Sequence, residues 1–351
     1  MTIDRRKLLA CGALMGGMAT LPSGLARAAV KSGGGTTLER VGGITRFDPE
    51  LEKILDVNAP VEVLATGYSW AEGPAWVPTG GSDGKGYLLF NDPPNNIMYI
   101  YTPQSGVETF LSPSGLVGPV PKTIREAGAN GMALDLQGGL VVADSGTRAI
   151  ARIDLTTKRK TILASTFEGR RFNSPNDVAV SRDGIIYFTD PPYGLVEAEA
   201  SPLRELDFNG LYRLSPDGEV KLLGQYHRPN GVGLSPDERT LYLSLSDEKR
   251  PEVLAYSLDA QGMPTGPARL FNDMRVQFAE GKPGLPDGME VDPRGYVFAT
   301  GPGGVHICAP DGRLLGMIAT DKAVANCAIG DRGKTLYLTS ASMLARVSLR
   351  G

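Results

Sequence analysis

Cysteine, histidine and tryptophan are scarce in this chain of 351 residues, with three, two and two copies. So few cysteines cannot staple a fold of this size, and Cys308 and Cys327 are expected to be free and buried. Without a C-x-x-C or a Cys/His cluster, a structural zinc site has nothing to bind it. A serine-nucleophile hydrolase is disfavoured too, because there is no Gly-x-Ser-x-Gly elbow and neither histidine has a plausible Ser/Asp partnership. A surplus of one charge sign is also lacking. The net charge is −3, with acidic and basic residues mixed throughout, so no basic stripe exists to track a phosphate backbone and nucleic acid is excluded as a partner. Helical periodicity and low-complexity segments are missing as well.

What is present is a large apolar complement, 41% of residues, together with 45 glycines and 26 prolines in no fixed period. That composition packs a sizeable core and turns often, which favours β-structure. The first 28 residues stand apart. Asp4-Arg5-Arg6-Lys7 precedes an uncharged stretch from Leu8 to Leu25 and then Ala26-Arg27-Ala28, a small-x-small cleavage site. The adjacent arginines predict a twin-arginine (Tat) signal peptide over residues 1–28, with the Tat export machinery as partner and a periplasmic or secreted product. With four glycines, a proline and a serine, that stretch is too weakly apolar to serve as a stable membrane anchor.

Beyond it the chain repeats. An acceptor-bearing residue, usually followed by glycine, opens an apolar stretch that alternates with period two and ends at a turn. Copies begin at Glu72, Asn130, Asn176, Asn230, Asp287 and Asn326, spaced 58, 46, 54, 57 and 39 residues apart. Turns such as Ser235-Pro236-Asp237-Glu238 and Asp292-Pro293-Arg294-Gly295 follow, then further strands such as Thr240 to Ser244 and Gly210 to Leu214. This pattern predicts an all-β fold, a six-bladed β-propeller over residues 61–351 with a central metal-binding channel. Residues Val61 to Ser69, which alternate at their start, are expected to supply the outer strand of the last blade and so close the ring. Residues 29–60 have no repeat partner and read as an N-terminal extension.

Inner strands line the channel of a propeller, so the six repeat positions should meet near its axis. All six carry a side-chain oxygen acceptor, and none is His or Cys. Such an oxygen-only shell suits Ca²⁺ or Mg²⁺, with Mn²⁺ also in range. Asn-Gly and Asp-Gly are ordinary turn dipeptides, which would explain one copy but not Glu72 or six acceptors in register.

Read together, Ala71-Glu72-Gly73-Pro74-Ala75-Trp76, Asn173-Ser174-Pro175-Asn176-Asp177-Val178, Phe188-Thr189-Asp190-Pro191-Pro192-Tyr193-Gly194, Arg228-Pro229-Asn230-Gly231, Leu285-Pro286-Asp287-Gly288-Met289 and Ala299 to Val305 resemble the gluconolactonase and senescence-marker-protein family of six-bladed propellers. The resemblance implies hydrolysis of a sugar lactone with one divalent cation as cofactor, Ca²⁺ first, with Mg²⁺, Mn²⁺ or Zn²⁺ as alternatives. It places the metal on Glu72, Asn230 and Asp287, with Asn176 as a fourth ligand or substrate contact, and Asp287 is the choice for general base. Asn130, Ser145, His306 and Asn326 are the expected substrate contacts. Relatives often carry a histidine where this chain reads Ala143-Asp144-Ser145-Gly146-Thr147-Arg148, which leaves the lactone open. His227 reads as an exposed loop residue. Two other readings keep the fold: hydrolysis of another lactone or an organophosphate, as in the similar diisopropyl fluorophosphatase, and a non-catalytic calcium- or ligand-binding propeller.

Overall fold

A computed structural model describes residues 37–80 and 85–351. The predicted export signal, residues 1–28, lies outside them. Six sheets, each of four antiparallel strands or more, follow one another along the chain as blades. Their inner strands are Glu72–Pro78, Met132–Leu134, Val178–Val180, Pro229–Leu234, Met289–Val291 and Val324–Gly330. The chain is mostly β, a six-bladed propeller.

Local chemistry accounts for the turns that end these strands. In the fifth blade Asp292 Oδ1 accepts from the backbone N–H groups of Arg294 (2.8 Å) and Tyr296 (3.0 Å), while Gly295 takes φ 90°. Asp135 does the same in blade two, accepting from Gln137 and Gly139. Aspartate mimics a backbone acceptor in such a turn, and glycine supplies the left-handed residue without steric cost. Behind the turns, strands such as Ile186–Asp190 and Val297–Gly301 are buried at every position, because neighbouring blades cover both of their faces. Six apolar clusters result, one between each pair of adjacent blades.

Ring closure occurs where the sequence places it. Strand Glu62–Thr66 pairs antiparallel with Met343–Ser348, the last strand of the chain, with Glu62 opposite Arg346. Trp76 of blade one then stacks on Tyr337 of blade six, ring centroids 5.6 Å apart. The extension is not a separate appendage. Strand Gly43–Arg46 adds a fifth strand to blade five by pairing with Leu314–Ala319. The 3-10 turn Pro49–Lys53 and the residues after it then bury Leu51, Ile54 and Leu55 between blades five and six. Each such fully buried side chain contributes about 1.5–3 kcal/mol, so residues 37–60 seal one inter-blade seam. Cys308 and Cys327 are free and buried, as expected. Among the described residues no helix is long and apolar enough to cross a membrane.

Candidate active site

Five of the six repeat positions converge. Glu72, Asn130, Asn176, Asn230 and Asp287 line one pocket of about 620 Å³ at one mouth of the channel, called the upper mouth below. The glycines that follow four of them make the convergence possible. A Cβ on Gly231 would stand 2.1 Å from the Asp287 carbonyl oxygen, and one on Gly131 would stand 2.0 Å from Asp177 Oδ1. Neither glycine has a positive φ. They are required because inner strands of adjacent blades approach too closely around the axis for any side chain.

Three expected substrate contacts lie outside this pocket. Asn326 lines the lower part of the channel instead, with Oδ1 turned to accept from its neighbour Cys327 N–H at 2.8 Å and its side chain packed on Gly288. Ser145 is buried and donates to the Pro175 carbonyl at 2.6 Å, bracing the peptide before Asn176. His306 belongs to the third strand of blade five, fully buried, where Nε2 meets the Pro302 carbonyl at 3.0 Å. Burial pushes its pKa down to about 4, so the ring is neutral, with Nε2–H as the donor to that carbonyl. His227 is exposed and lies 3.4 Å from Asp247.

The pocket is electrostatically unfinished. Glu72 is buried, with Oε2 accepting from Gly73 N–H at 2.8 Å. Burial pushes its pKa up to about 8, and the charges of Asp177 and Glu126 add to the rise against that hydrogen bond. Asp287 is raised as well, first by burial and then by the charge of Glu72. Two carboxylates thus repel each other, and burial adds to the penalty on each charge. Beside them Asn230 Oδ1 is buried and has no hydrogen-bond partner, although the Nδ2 of the same amide donates to Ser246 Oγ at 2.9 Å. Unpaired acceptors and like-charged carboxylates on one wall are the donor set that a hard dication completes. Among the described residues no three His, Cys, Asp or Glu side chains cluster to hold a metal. A cation here therefore needs the amide oxygens of Asn230 and Asn176 as well as the two carboxylates.

Two further walls come from loops that the repeat does not encode. Residues 112–128, between blades one and two, pair with residues 191–196 of blade three. Arg125 and Glu126 donate their N–H groups to the Gly194 carbonyl, Val196 donates to Thr123, and Ile124 bridges Leu195. This pairing brings Glu126 and Tyr193 to the pocket, each with one buried oxygen lacking a partner. The 58-residue gap between the first two repeats marks the first loop by its length, and the Asp190 to Gly194 stretch marks the second. A third segment, just after the helix Arg275–Ala279, contributes Lys282 and Leu285.

The family model described as SMP-30/Gluconolactonase/LRE-like region matches residues 70–342. The chain belongs to that family. It is 46% identical to a gluconolactonase of Zymomonas mobilis over 329 residues, 93% of this chain and 90% of that protein. Regucalcin of Oryctolagus cuniculus is 27% identical over 80% of this chain and 85% of its own length. Among solved structures, a gluconolactonase from Xanthomonas campestris superposes with a TM-score of 0.76 at 30% identity, covering 92% of this chain and 99% of that one. Measured against this SMP-30/gluconolactonase framework, the matched span begins at Trp70, so residues 37–69, with the ring-closing strand and the fifth strand of blade five, precede it.

Proposed function

We propose that this chain hydrolyses a sugar lactone, as the name of its Zymomonas relative suggests, and that it does so with one divalent cation at the upper mouth. The observation that carries the cation reading is the buried, partnerless Asn230 Oδ1 beside the two like-charged carboxylates Glu72 and Asp287. Glu72, Asn176, Asn230 and Asp287 would hold the cation. When bound, it supplies Lewis acidity that draws electron density from the lactone carbonyl.

The remaining chemistry falls to the chain's own groups. Asp287 is the general base: a carboxylate oxygen takes a proton from water as that water adds to the carbonyl carbon. Asn230 lies beside Asp287 and favours its ionised form against the burial that raises its pKa. Collapse of the adduct breaks the ring C–O bond, and the proton held on Asp287 passes to the departing ring oxygen. The product is the open hydroxy acid. Trp70, Phe278 and the Arg125–Glu126 ion pair (3.1 Å) wall the pocket against bulk water. Its hydroxyl, carboxylate and guanidinium groups suit a polyhydroxylated ring better than an apolar one.

A panel of lactones assayed with and without a chelator tests this reading. Turnover of D-glucono-δ-lactone that is lost on chelation and restored by Ca²⁺ supports it. Preferred turnover of another lactone or an organophosphate would favour the second hydrolase reading, and tight cation binding with no turnover would favour a binding propeller. We also propose that the activity lies outside the cytoplasm, through residues 1–28. Replacing Arg5 and Arg6 with Lys should leave precursor inside the cell, and unchanged export would contradict a Tat route.

A further inference from the structure

We propose that Ser246 is a positioning residue that sets which face of the Asn230 amide looks into the pocket. Ser246 is a buried residue near the end of strand Thr240–Asp247 of blade four, and its hydroxyl bonds both Pro286 and Asn230. It donates to the Pro286 carbonyl oxygen at 2.5 Å and accepts from Asn230 Nδ2 at 2.9 Å. A carbonyl oxygen can only accept, so the single hydroxyl hydrogen is committed to Pro286. Toward Asn230, therefore, Ser246 Oγ is an acceptor and nothing else. The amide must answer with its NH₂, which turns Oδ1 the other way, and that oxygen is the one left buried without a protein partner. A flipped amide would set oxygen against oxygen at Ser246 and present NH₂ where a cation needs an acceptor.

The same hydroxyl reaches a second site residue. Pro286 directly precedes Asp287, so the Ser246 bond ties the second strand of blade four to the peptide that carries the proposed base. Asn230 is held from the opposite side, where Thr189 Oγ1 donates to its backbone carbonyl at 2.6 Å. One serine thus fixes the orientation of one proposed ligand and the backbone of another, on two different blades. Partners that orient a ligand in this way typically govern metal affinity as strongly as many ligands do.

This inference rests on the cation reading above, and the test separates the two. Ca²⁺ binding to the full chain is measured by calorimetry for wild type, Ser246→Ala and Ser246→Thr, with thermal unfolding in chelator as the check on folding. Ser246→Ala should bind Ca²⁺ about 10–100-fold more weakly, and Ser246→Thr, which keeps the hydroxyl, should recover most of that loss. If Ser246→Ala binds within about threefold of wild type, or if Ala and Thr weaken binding alike, the hydroxyl does not set the ligand and the proposal fails while the cation site stands. If wild type itself binds no Ca²⁺, both readings fall. An Ala variant that unfolds in chelator at the temperature of wild type, yet loses affinity, excludes a merely structural role.

Discussion

The two ends of the channel hold carboxylates from the same set of inner strands, yet they treat them oppositely. At the lower end Asp177 accepts from Val178 N–H (2.9 Å) and from Val232 N–H (3.0 Å) of the next blade. Glu290 likewise accepts from Val291 (3.2 Å) and from Ile329 (3.3 Å) of the next blade. Every one of those oxygens is spent on stitching neighbouring inner strands together. At the upper mouth Glu72 gains one backbone N–H and the Trp70 side chain, Asn230 Oδ1 gains none, and Asp287 is crowded by the Glu72 charge. Buried polar groups are normally satisfied, and an exception calls for a reason. The contrast teaches that position near a propeller axis does not make a carboxylate functional. Under the proposed reading, the unfilled acceptors do.

The comparison can be broken by exchanging the roles of the two ends. Asp287→Asn, assayed at saturating Ca²⁺, should lower kcat for lactone hydrolysis by about 10²–10⁴-fold, the usual share of a general base. Glu290→Gln under the same conditions should stay within a few-fold of wild type. Comparable losses in both would erase the distinction between the two ends.

A smaller effect is expected from Gly231→Ala. The added methyl would meet the Asp287 carbonyl oxygen at 2.1 Å, so the strands must part. Overpacking of this kind costs about 1–3 kcal/mol, and chemical denaturation should show it together with a loss of activity. Gly138→Ala is the matched control. Unlike Gly231 it bears a positive φ, and it sits in a turn with open space around it, so it should lose stability through backbone strain while kcat holds.

The satisfied end carries a pH signature of its own. Burial pushes the Glu290 pKa up to about 7, so in the folded chain this group keeps its proton at a pH where the unfolded chain has released it. A raised carboxyl pKa contributes stability at low pH that is lost as pH rises from roughly the ordinary glutamate value, about 4.3, to about 7. Glu290→Gln removes the titration. Its stability relative to wild type should therefore improve across that window by at most about 3 kcal/mol, as read from unfolding curves at pH 5 and pH 8. A constant difference between the two proteins would show that Glu290 does not titrate there.

The smallest changes belong to the residues placed away from the pocket. His306→Gln and Asn326→Ala should leave KM for the lactone within about threefold, since loss of a direct substrate hydrogen bond would cost more. A tenfold rise in KM for either would return it to the site.

Much of this architecture was legible because the repeat is a physical requirement. Each inner strand must pass the axis beside its neighbour, so glycine follows four of the six acceptors, and Gly131, Gly231 and Gly288 recur for that reason. The ring-closing strand could be read from the alternation at Val61 to Leu64. Asn326 lies apart from the pocket: its motif continues with Cys327 rather than glycine, and its amide accepts from its own chain. The burial of His306 was not legible, because a lone histidine on an apolar strand gives no sign of depth in the blade. It pairs with Ala299 and Met317, well inside the sheet. Glu126 and Tyr193 were not legible as a pair. Their meeting depends on hydrogen bonds between two inter-blade loops far apart in sequence, which no local pattern records.

The central claim, that the upper mouth is a cation site and the lower end is not, is tested most directly by diffraction from crystals soaked in Ca²⁺. The account predicts one ion on the axis at the upper mouth, with oxygens of Glu72, Asn230 and Asp287 roughly 2.3–2.6 Å away. An upper mouth without an ion, or an ion lodged between Asp177 and Glu290 instead, would contradict it.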